Sequence, residues 1–172
     1  GDAVSVAKYH IGHSPFVVML GDDIMVDDSA LLKNMLKDYS ETKSNIIALM
    51  RVDGEDISNY GCADVDYDED EIKSRISQGL SLTVNDFVEK PKLEDAPSNL
   101  AIIGRYIFNP EIFTALENIG PGNNGEIQLT DAISILAKTQ EIYGRVLESG
   151  RYDIGKKSDW LIANVALALQ RE

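Results

Sequence analysis

The chain has 172 residues, 44% hydrophobic and 26% charged, with a formal net charge of −13, the size and balance of one ordinary globular domain. That acidity argues against a nucleic-acid polymer as partner, because a phosphate backbone demands a basic surface, yet it leaves room for a small phosphorylated ligand gripped by a metal and a few local cations. The longest apolar runs fall short of a membrane span, no basic-then-apolar segment opens the chain, and Cys62 is alone, so no internal disulfide is expected and a soluble, cytoplasmic protein is.

Taken in chain order, residues 3–11 read as a short helix with Val6 and His10 on one side. Pro15-Phe-Val-Val-Met-Leu-Gly-Asp-Asp23 follows, a continuous apolar run ending on adjacent carboxylates. Its apolar part, residues 16–20, has the pattern of a strand buried on both faces, as in a parallel sheet. Asp28 reads as the N-cap of an amphipathic helix over residues 29–39, with Leu31, Leu32, Met35 and Leu36 on one face. Residues 45–50 form a second buried strand, so the opening is β-α-β with a right-handed parallel pair.

The middle changes character. Residues 62–67, 80–89 and 99–108 are strand-like, and the acidic stretch Asp68-Glu-Asp-Glu71 reads as a turn leading into an extended segment, 72–77. Helices return with Pro110 in the first turn of 111–118 and with 126–137, separated by a loop over 120–125. A strand over 141–147 and a helix over 157–169 close the chain. The expected architecture is α/β, a single domain over residues 1–172 whose sheet is mixed, mainly parallel, with an antiparallel insertion. Its first strand lacks a sheet neighbour on the N-terminal side, the mark of the later part of something longer.

Asp22 and Asp23 suit a turn by composition, but two carboxylates beyond a buried strand suit a divalent cation better, and such a cation grips phosphate oxygens. In Phe87-Val-Glu-Lys-Pro91, Lys90 at a strand end offers a point charge to a phosphate, and Glu89 can accept from two sugar hydroxyls. Gly61 and Gly104 interrupt strand patterns, marking either a bulge or a place where a ligand nears the backbone. Arg151-Tyr-Asp-Ile-Gly-Lys156 lies between a strand and a helix, where an anion site or a capped loop both fit; Asp153 is a candidate second metal contact. Glu126 suits the helix dipole. His10 and His13 have no Cys or carboxylate cluster to complete a zinc site.

Together these segments resemble the bacterial UTP–glucose-1-phosphate uridylyltransferases (UDP-glucose pyrophosphorylases). The shared text is the run from Pro15 to Ile24, Asn59-Tyr-Gly61, Asp86-Phe-Val-Glu-Lys-Pro91, Ala96-Pro-Ser-Asn-Leu-Ala-Ile-Ile-Gly-Arg-Tyr106, Gly125-Glu-Ile-Gln-Leu-Thr-Asp-Ala-Ile133 and Arg151-Tyr-Asp-Ile-Gly-Lys156, in family order over nearly the whole chain. The resemblance implies a Rossmann-like nucleotide-diphosphosugar transferase fold, N-terminally truncated. It also implies a Mg²⁺-dependent transfer in carbohydrate metabolism, from UTP and glucose 1-phosphate to UDP-glucose and pyrophosphate. By the same carry-over Asp22, with Asp23 and Asp153 as further candidates, holds the metal. Lys90 meets the sugar phosphate, Glu89 the glucose hydroxyls and the Gly61 backbone the sugar; Gly104 and Lys156 complete the substrate side. A homo-oligomer is also implied.

Two departures accompany the likeness. Cys62 stands where the family is more aliphatic, and the family's N-terminal glycine-rich, triphosphate-binding loop has no counterpart, so residues 1–172 alone are expected not to turn over UTP. Three rivals remain: a signalling receiver phosphorylated on Asp53, disfavoured by the strand cluster between residues 61 and 108; a nucleotidyltransferase of other base or sugar choice; and a non-catalytic sugar-phosphate-binding fragment.

Overall fold

Residues 1–122 and 125–169 are described by a computed structural model. In chain order the elements are α1 (Asp2–Ser5), α2 (Lys8–Ile11), β1 (Phe16–Met19), β2 (Asp23–Met25), α3 (Ala30–Thr42), β3 (Asn45–Arg51), β4 (Gly61–Asp64), α4 (Glu69–Ser77), β5 (Leu82–Val84), β6 (Asp86–Glu89), β7 (Leu100–Phe108), α5 (Glu111–Glu117), α6 (Leu129–Ala137), β8 (Ile142–Leu147), β9 (Arg151–Asp153) and α7 (Lys157–Leu169). The expected N-terminal helix is broken into α1 and α2. Only Val4 is buried there while Val6 and Tyr9 face solvent, so no apolar stripe runs the length needed to hold one helix together.

One seven-stranded sheet dominates, in the order β5-β8-β3-β7-β4-β6, with β1 also on β7. The mixed α/β class stands, but the parallel share is smaller than expected: β3–β8 is parallel, and the remaining pairings run antiparallel. β1 and β3 do point the same way, since each is antiparallel to β7, but β7 lies between them. β5 and β6, at opposite ends of the sheet path, are separated in sequence only by Asn85, so the sheet curls until its ends meet. That single residue divides what reads as one strand over 80–89.

Burial on both faces belongs to β3, not to β1. Ile47 and Leu49 enter the core beneath α5 and α6, whereas Ile46 and Ala48 meet Leu31 and Met35 of α3 on the opposite face. β1 pairs with β7 alone, and its Met19 is 59% exposed. An unbroken apolar run does not by itself separate a central strand from an edge.

Helix starts depart from expectation in instructive ways. α3 is closed by Asp27 rather than Asp28: the Leu31 N–H donates to Asp27 Oδ2 at 2.7 Å and the Ser29 N–H to Oδ1 at 3.1 Å. Asp28 and Ser29 take left-handed backbone instead, at φ 51° and 63°. On α3, Leu31 and Met35 are buried, but Leu36 is 46% exposed. The acidic stretch before residue 72 is no turn into a strand but the start of α4. Asp68 accepts from the Asp70 and Glu71 N–H groups while Glu71 reaches back to the Asp68 N–H at 3.0 Å, a capping box. Asp68→Ala is therefore expected to cost about 1 kcal/mol of stability, read by urea denaturation. α6 begins at Leu129 rather than at 126, and the loop before it includes residues 123 and 124, outside the described residues.

Candidate active site

The site begins at a fork in the sheet. β3 occupies one edge of β7 along almost its whole length, so β1 and β4 must share the other: Met19 faces Arg105, and Cys62 faces Ala101. Between them β7 bulges, and the register against β3 shifts around Ala48. Gly104 sits in the bulge. Its N–H donates to Asp23 Oδ2 at 2.6 Å and its carbonyl accepts from the Leu20 N–H at 2.9 Å. A Cβ on Gly104 would fall 2.7 Å from that carboxylate oxygen and 2.8 Å from Leu20 Cβ, which is why glycine stands here.

Asp23 is consequently spoken for. It is 5% exposed, and its other oxygen, Oδ1, accepts from Arg151 Nε at 2.5 Å. Both carboxylate oxygens are engaged by protein donors, so its role here is architectural. It ties the fork to the two-stranded β2–β9 ribbon, in which Asp23 lies opposite Asp153. β9 itself was not legible: residues 151–153 read as loop because a three-residue strand has no periodicity to detect.

Asp22 and Asp153 come close to each other around Gly155, at the end of that ribbon. The Ile154 N–H donates to the Asp22 carbonyl at 2.8 Å. The point where a Gly155 side chain would begin lies 3.2 Å from Asp153 Oδ1 and 3.6 Å from Asp22 Oδ2, so the absence of a Cβ leaves space between two carboxylates. Asp153 Oδ2 accepts from Tyr60 Oη at 3.1 Å and from Arg151 Nη2 at 3.4 Å. No donor is recorded on Oδ1 among the described residues. Two hard oxygen donors fit Mg²⁺, which is commonly held by one or two carboxylates while substrate phosphates and waters complete its shell. No cluster of three or more His, Cys, Asp or Glu suited to a metal occurs among the described residues, so an all-protein cage is not the arrangement.

Tyr60 is the residue that sequence reasoning passed over. Arg151 and Lys156 both stand over its ring, at 5.2 and 5.5 Å. Burial pulls the Lys156 ammonium down, but the Tyr60 hydroxyl, Asp153 and Asp56 outweigh it and hold its pKa above the usual lysine value. At the other end of the residue, the Tyr60 carbonyl accepts from the Lys90 N–H at 3.1 Å. One tyrosine thus spans from the Glu-Lys-Pro turn to the acid pair. Its signals in the sequence are its place before Gly61 and within the shared segment Asn59-Tyr-Gly61, neither of which assigns it a role.

The Lys90 backbone is left-handed, at φ 45°, an uncommon state for a non-glycine residue and a form of strain that concentrates at functional sites. Glu89 lies opposite Gly61 in the β4–β6 register, and Glu89 Oε1 is 3.8 Å from Lys90 Nζ. A cavity of about 570 Å³ opens here, within the range of small-molecule sites, lined by Glu89, Lys90, Gly122, Gln128 and Asp131. Thr130 of α6 packs on Gly61, the residue opposite Glu89: a Cβ on Gly61 would fall 2.7 Å from Thr130 Oγ1 and 2.8 Å from Ile102 Cδ1. Gly61→Ala is expected to cost about 1–3 kcal/mol in thermal or urea unfolding, because both neighbours are buried and neither can retreat freely.

The two halves share one electrostatic environment. Burial pushes the Tyr106 hydroxyl pKa up, and the negative charges of Asp23, Glu89 and Asp22 push it further, against Arg151. Of the residues singled out in the sequence, Asp153 and Lys156 meet the Tyr60 hydroxyl and Asp22 lies across Gly155 from Asp153, while Glu89 and Lys90 line the cavity and Gly61 lies opposite Glu89 in the strand register. Asp23 and Gly104 lie beneath them as support. Cys62 is buried, with its Sγ 3.2 Å from the Ser98 carbonyl.

Comparison with known proteins gives this geometry a context. Residues 1–170 match the nucleotidyl transferase family. A UTP–glucose-1-phosphate uridylyltransferase of Streptococcus pyogenes is 45% identical over 174 aligned residues, which cover 99% of this chain and 55% of that protein. The chain therefore spans about half the length of the curated relatives it matches. Among solved structures, a UDP-glucose pyrophosphorylase complexed with UDP-glucose superposes with a TM-score of 0.86 at 36% identity, covering 98% of this chain and 61% of that one. A UTP-bound enzyme of the same name from Acinetobacter baumannii gives 0.81 at 32% identity, with 98% and 55% covered.

Proposed function

The chain belongs to the nucleotidyl transferase family, and from that premise we propose that it is the sugar-1-phosphate-binding part of a UTP–glucose-1-phosphate uridylyltransferase. The observation that carries the reading is Tyr60, which links Lys90, on the polar cavity, to Asp153, whose other oxygen faces Asp22 across Gly155. A cavity bordered by one ammonium and several hydrogen-bonding side chains suits a ligand with one charged end and a hydroxyl-rich body. The Streptococcus relative and the structure holding UDP-glucose favour glucose as that body.

In the proposed reaction an oxygen of the glucose 1-phosphate attacks the α-phosphorus of UTP; that P–O bond forms as the bond to the β-phosphate oxygen breaks, and pyrophosphate leaves. No protein nucleophile or net proton transfer is required, so the protein positions and neutralises. The Lys90 ammonium faces the sugar phosphate, Glu89 accepts hydrogen bonds from sugar hydroxyls, and the backbone of Gly61, opposite Glu89 in the strand register, borders the sugar. Asp22 and Asp153 are the residues that would hold Mg²⁺. When bound, the ion neutralises charge on the phosphates. Lys156, kept cationic by its neighbours, adds positive charge beside the same acids.

A cytoplasmic location and self-association are part of this proposal; among the described residues no helix is long and apolar enough to cross a membrane. Calorimetric titration with UDP-glucose in the presence of Mg²⁺ tests it. The parent chain is expected to bind, and Lys90→Ala to bind about 10–100-fold more weakly, the loss of one charge-assisted contact. Equal binding by both sinks the assignment.

A further inference from the structure

Gln128 and Asp131 line the cavity with Glu89 and Lys90, yet the mechanism above gives them nothing to do. Both are half-buried. They are the N-cap residue and the third residue of α6, the places where polar side chains ordinarily close a helix by bonding its free N–H groups. α6 has no side-chain cap. Their neighbours on the same helix are committed to the protein: Thr130 packs on Gly61, and Ser134 Oγ donates to Asp86 Oδ1 at 2.5 Å. Gln128 and Asp131 spend their polarity on the cavity instead.

The charge balance says what kind of group they meet. With Glu89 on the strand side and Asp131 on the helix side, the lining carries, among the described residues, two carboxylates against the single ammonium of Lys90. A ligand anionic throughout would be repelled by such walls. Hydroxyls suit them: each donates to a carboxylate, and an amide can both donate and accept.

We infer that Gln128 and Asp131 read hydroxyls of the bound sugar, so that recognition comes from the α6 side as well as from Glu89 on β6. This rests on the sugar-phosphate reading above and adds to it two specificity-determining residues. Thr130 against Gly61 sets the distance between the two walls, which converts contact into stereochemical choice. A site built to hydrogen-bond a hydroxyl rejects the analogue lacking it, because its own polar groups are then left unpaired.

The test is calorimetric titration of the chain with glucose 1-phosphate and its 2-, 3-, 4- and 6-deoxy analogues, for the parent, Gln128→Leu, Asp131→Asn and Asp131→Ala, with thermal melting to confirm folding. The parent should bind at least one analogue about tenfold more weakly than glucose 1-phosphate. The corresponding variant should lose about tenfold toward glucose 1-phosphate and become indifferent to that one hydroxyl, within about twofold, while still discriminating at the others. A uniform loss toward all five ligands, as a structural defect produces, overturns the inference, and so do variants that discriminate as the parent does. If the parent binds no glucose 1-phosphate, the sugar-phosphate reading itself fails and this inference with it. Asp131→Asn keeps the shape of the side chain, so it separates hydroxyl reading from loss of packing.

Discussion

Asp23→Ala is expected to cost about 3–5 kcal/mol of folding stability, because it strips a buried guanidinium of its nearest counter-charge and a buried N–H of its acceptor. Arg151, Asp23 and the Gly104 N–H form one hydrogen-bonded unit: the guanidinium on Oδ1, the amide on Oδ2. Take away the carboxylate and the buried Gly104 N–H is orphaned while the guanidinium is left with its longer contacts to Tyr60 Oη and Asp153 Oδ2, at 3.3 and 3.4 Å, in a place where water enters only by prising the fork open. The loss should appear as a lower urea midpoint and a lower melting temperature. Asp23→Asn should keep one acceptor and so lose less, which separates the charge from the shape. A melting temperature for Asp23→Ala within about a degree of the parent would remove Asp23 from its place as the tie between sheet and ribbon.

Asp22→Asn is expected to do the opposite, leaving stability nearly unchanged and removing function. Asp22 is exposed, and its backbone carbonyl, not its side chain, holds the ribbon through Ile154. An asparagine keeps that backbone bond and loses the charge facing the proposed Mg²⁺. The Mg²⁺-dependent part of UDP-glucose affinity should vanish in calorimetry. In an enzyme competent for transfer, pyrophosphate release should fall about 10²–10³-fold, comparable with the loss of one preorganised electrostatic contact to the transition state. Neighbouring aspartates thus separate cleanly: one answers to denaturant, the other to magnesium. Identical behaviour of the two variants in both assays would overturn the division of labour.

The Asp38–Arg145 pair offers a control remote from this chemistry. Arg145 donates to both Asp38 oxygens and, through Nη1, to the Gly79 carbonyl at 2.6 Å. Asp38→Ala should destabilise by about 3–5 kcal/mol as well, yet leave ligand affinity untouched under conditions where the variant is folded. Ligand binding lost in parallel with folding would mean that the Asp23 result reports stability alone.

Much of the site was readable before any coordinates. Asp22, Glu89, Lys90 and Asp153 stand at the ends of strands, where side chains of their type reach ligands, and the motif resemblance named the chemistry. The errors share a cause. Residues 16–20 read as a strand buried on both faces, and Asp23 as a further metal candidate beside Asp22, because composition does not say which strand lies beside which. β1 is an edge; β3 is the centre. Asp68-Glu-Asp-Glu71 carried a capping-box spacing that was legible and was read as a turn, since the residues after it are short of apolar periodicity.

Local chemistry along the chain was enough to set the element types of β3, β7, α5 and α7, the chain's acidic character, and the adjacency of a lysine and a glutamate at a strand end. Those depend on neighbours a few residues apart. Only the folded structure decided that Asp23 answers to Arg151, 128 positions away, that Gly104 makes room for it, that Tyr60 joins the two halves of the site, and that Gln128 and Asp131 turn toward the cavity rather than cap their helix. Those depend on sheet order and on a fork in one long strand, and pairings between distant segments leave no period in the residues that make them.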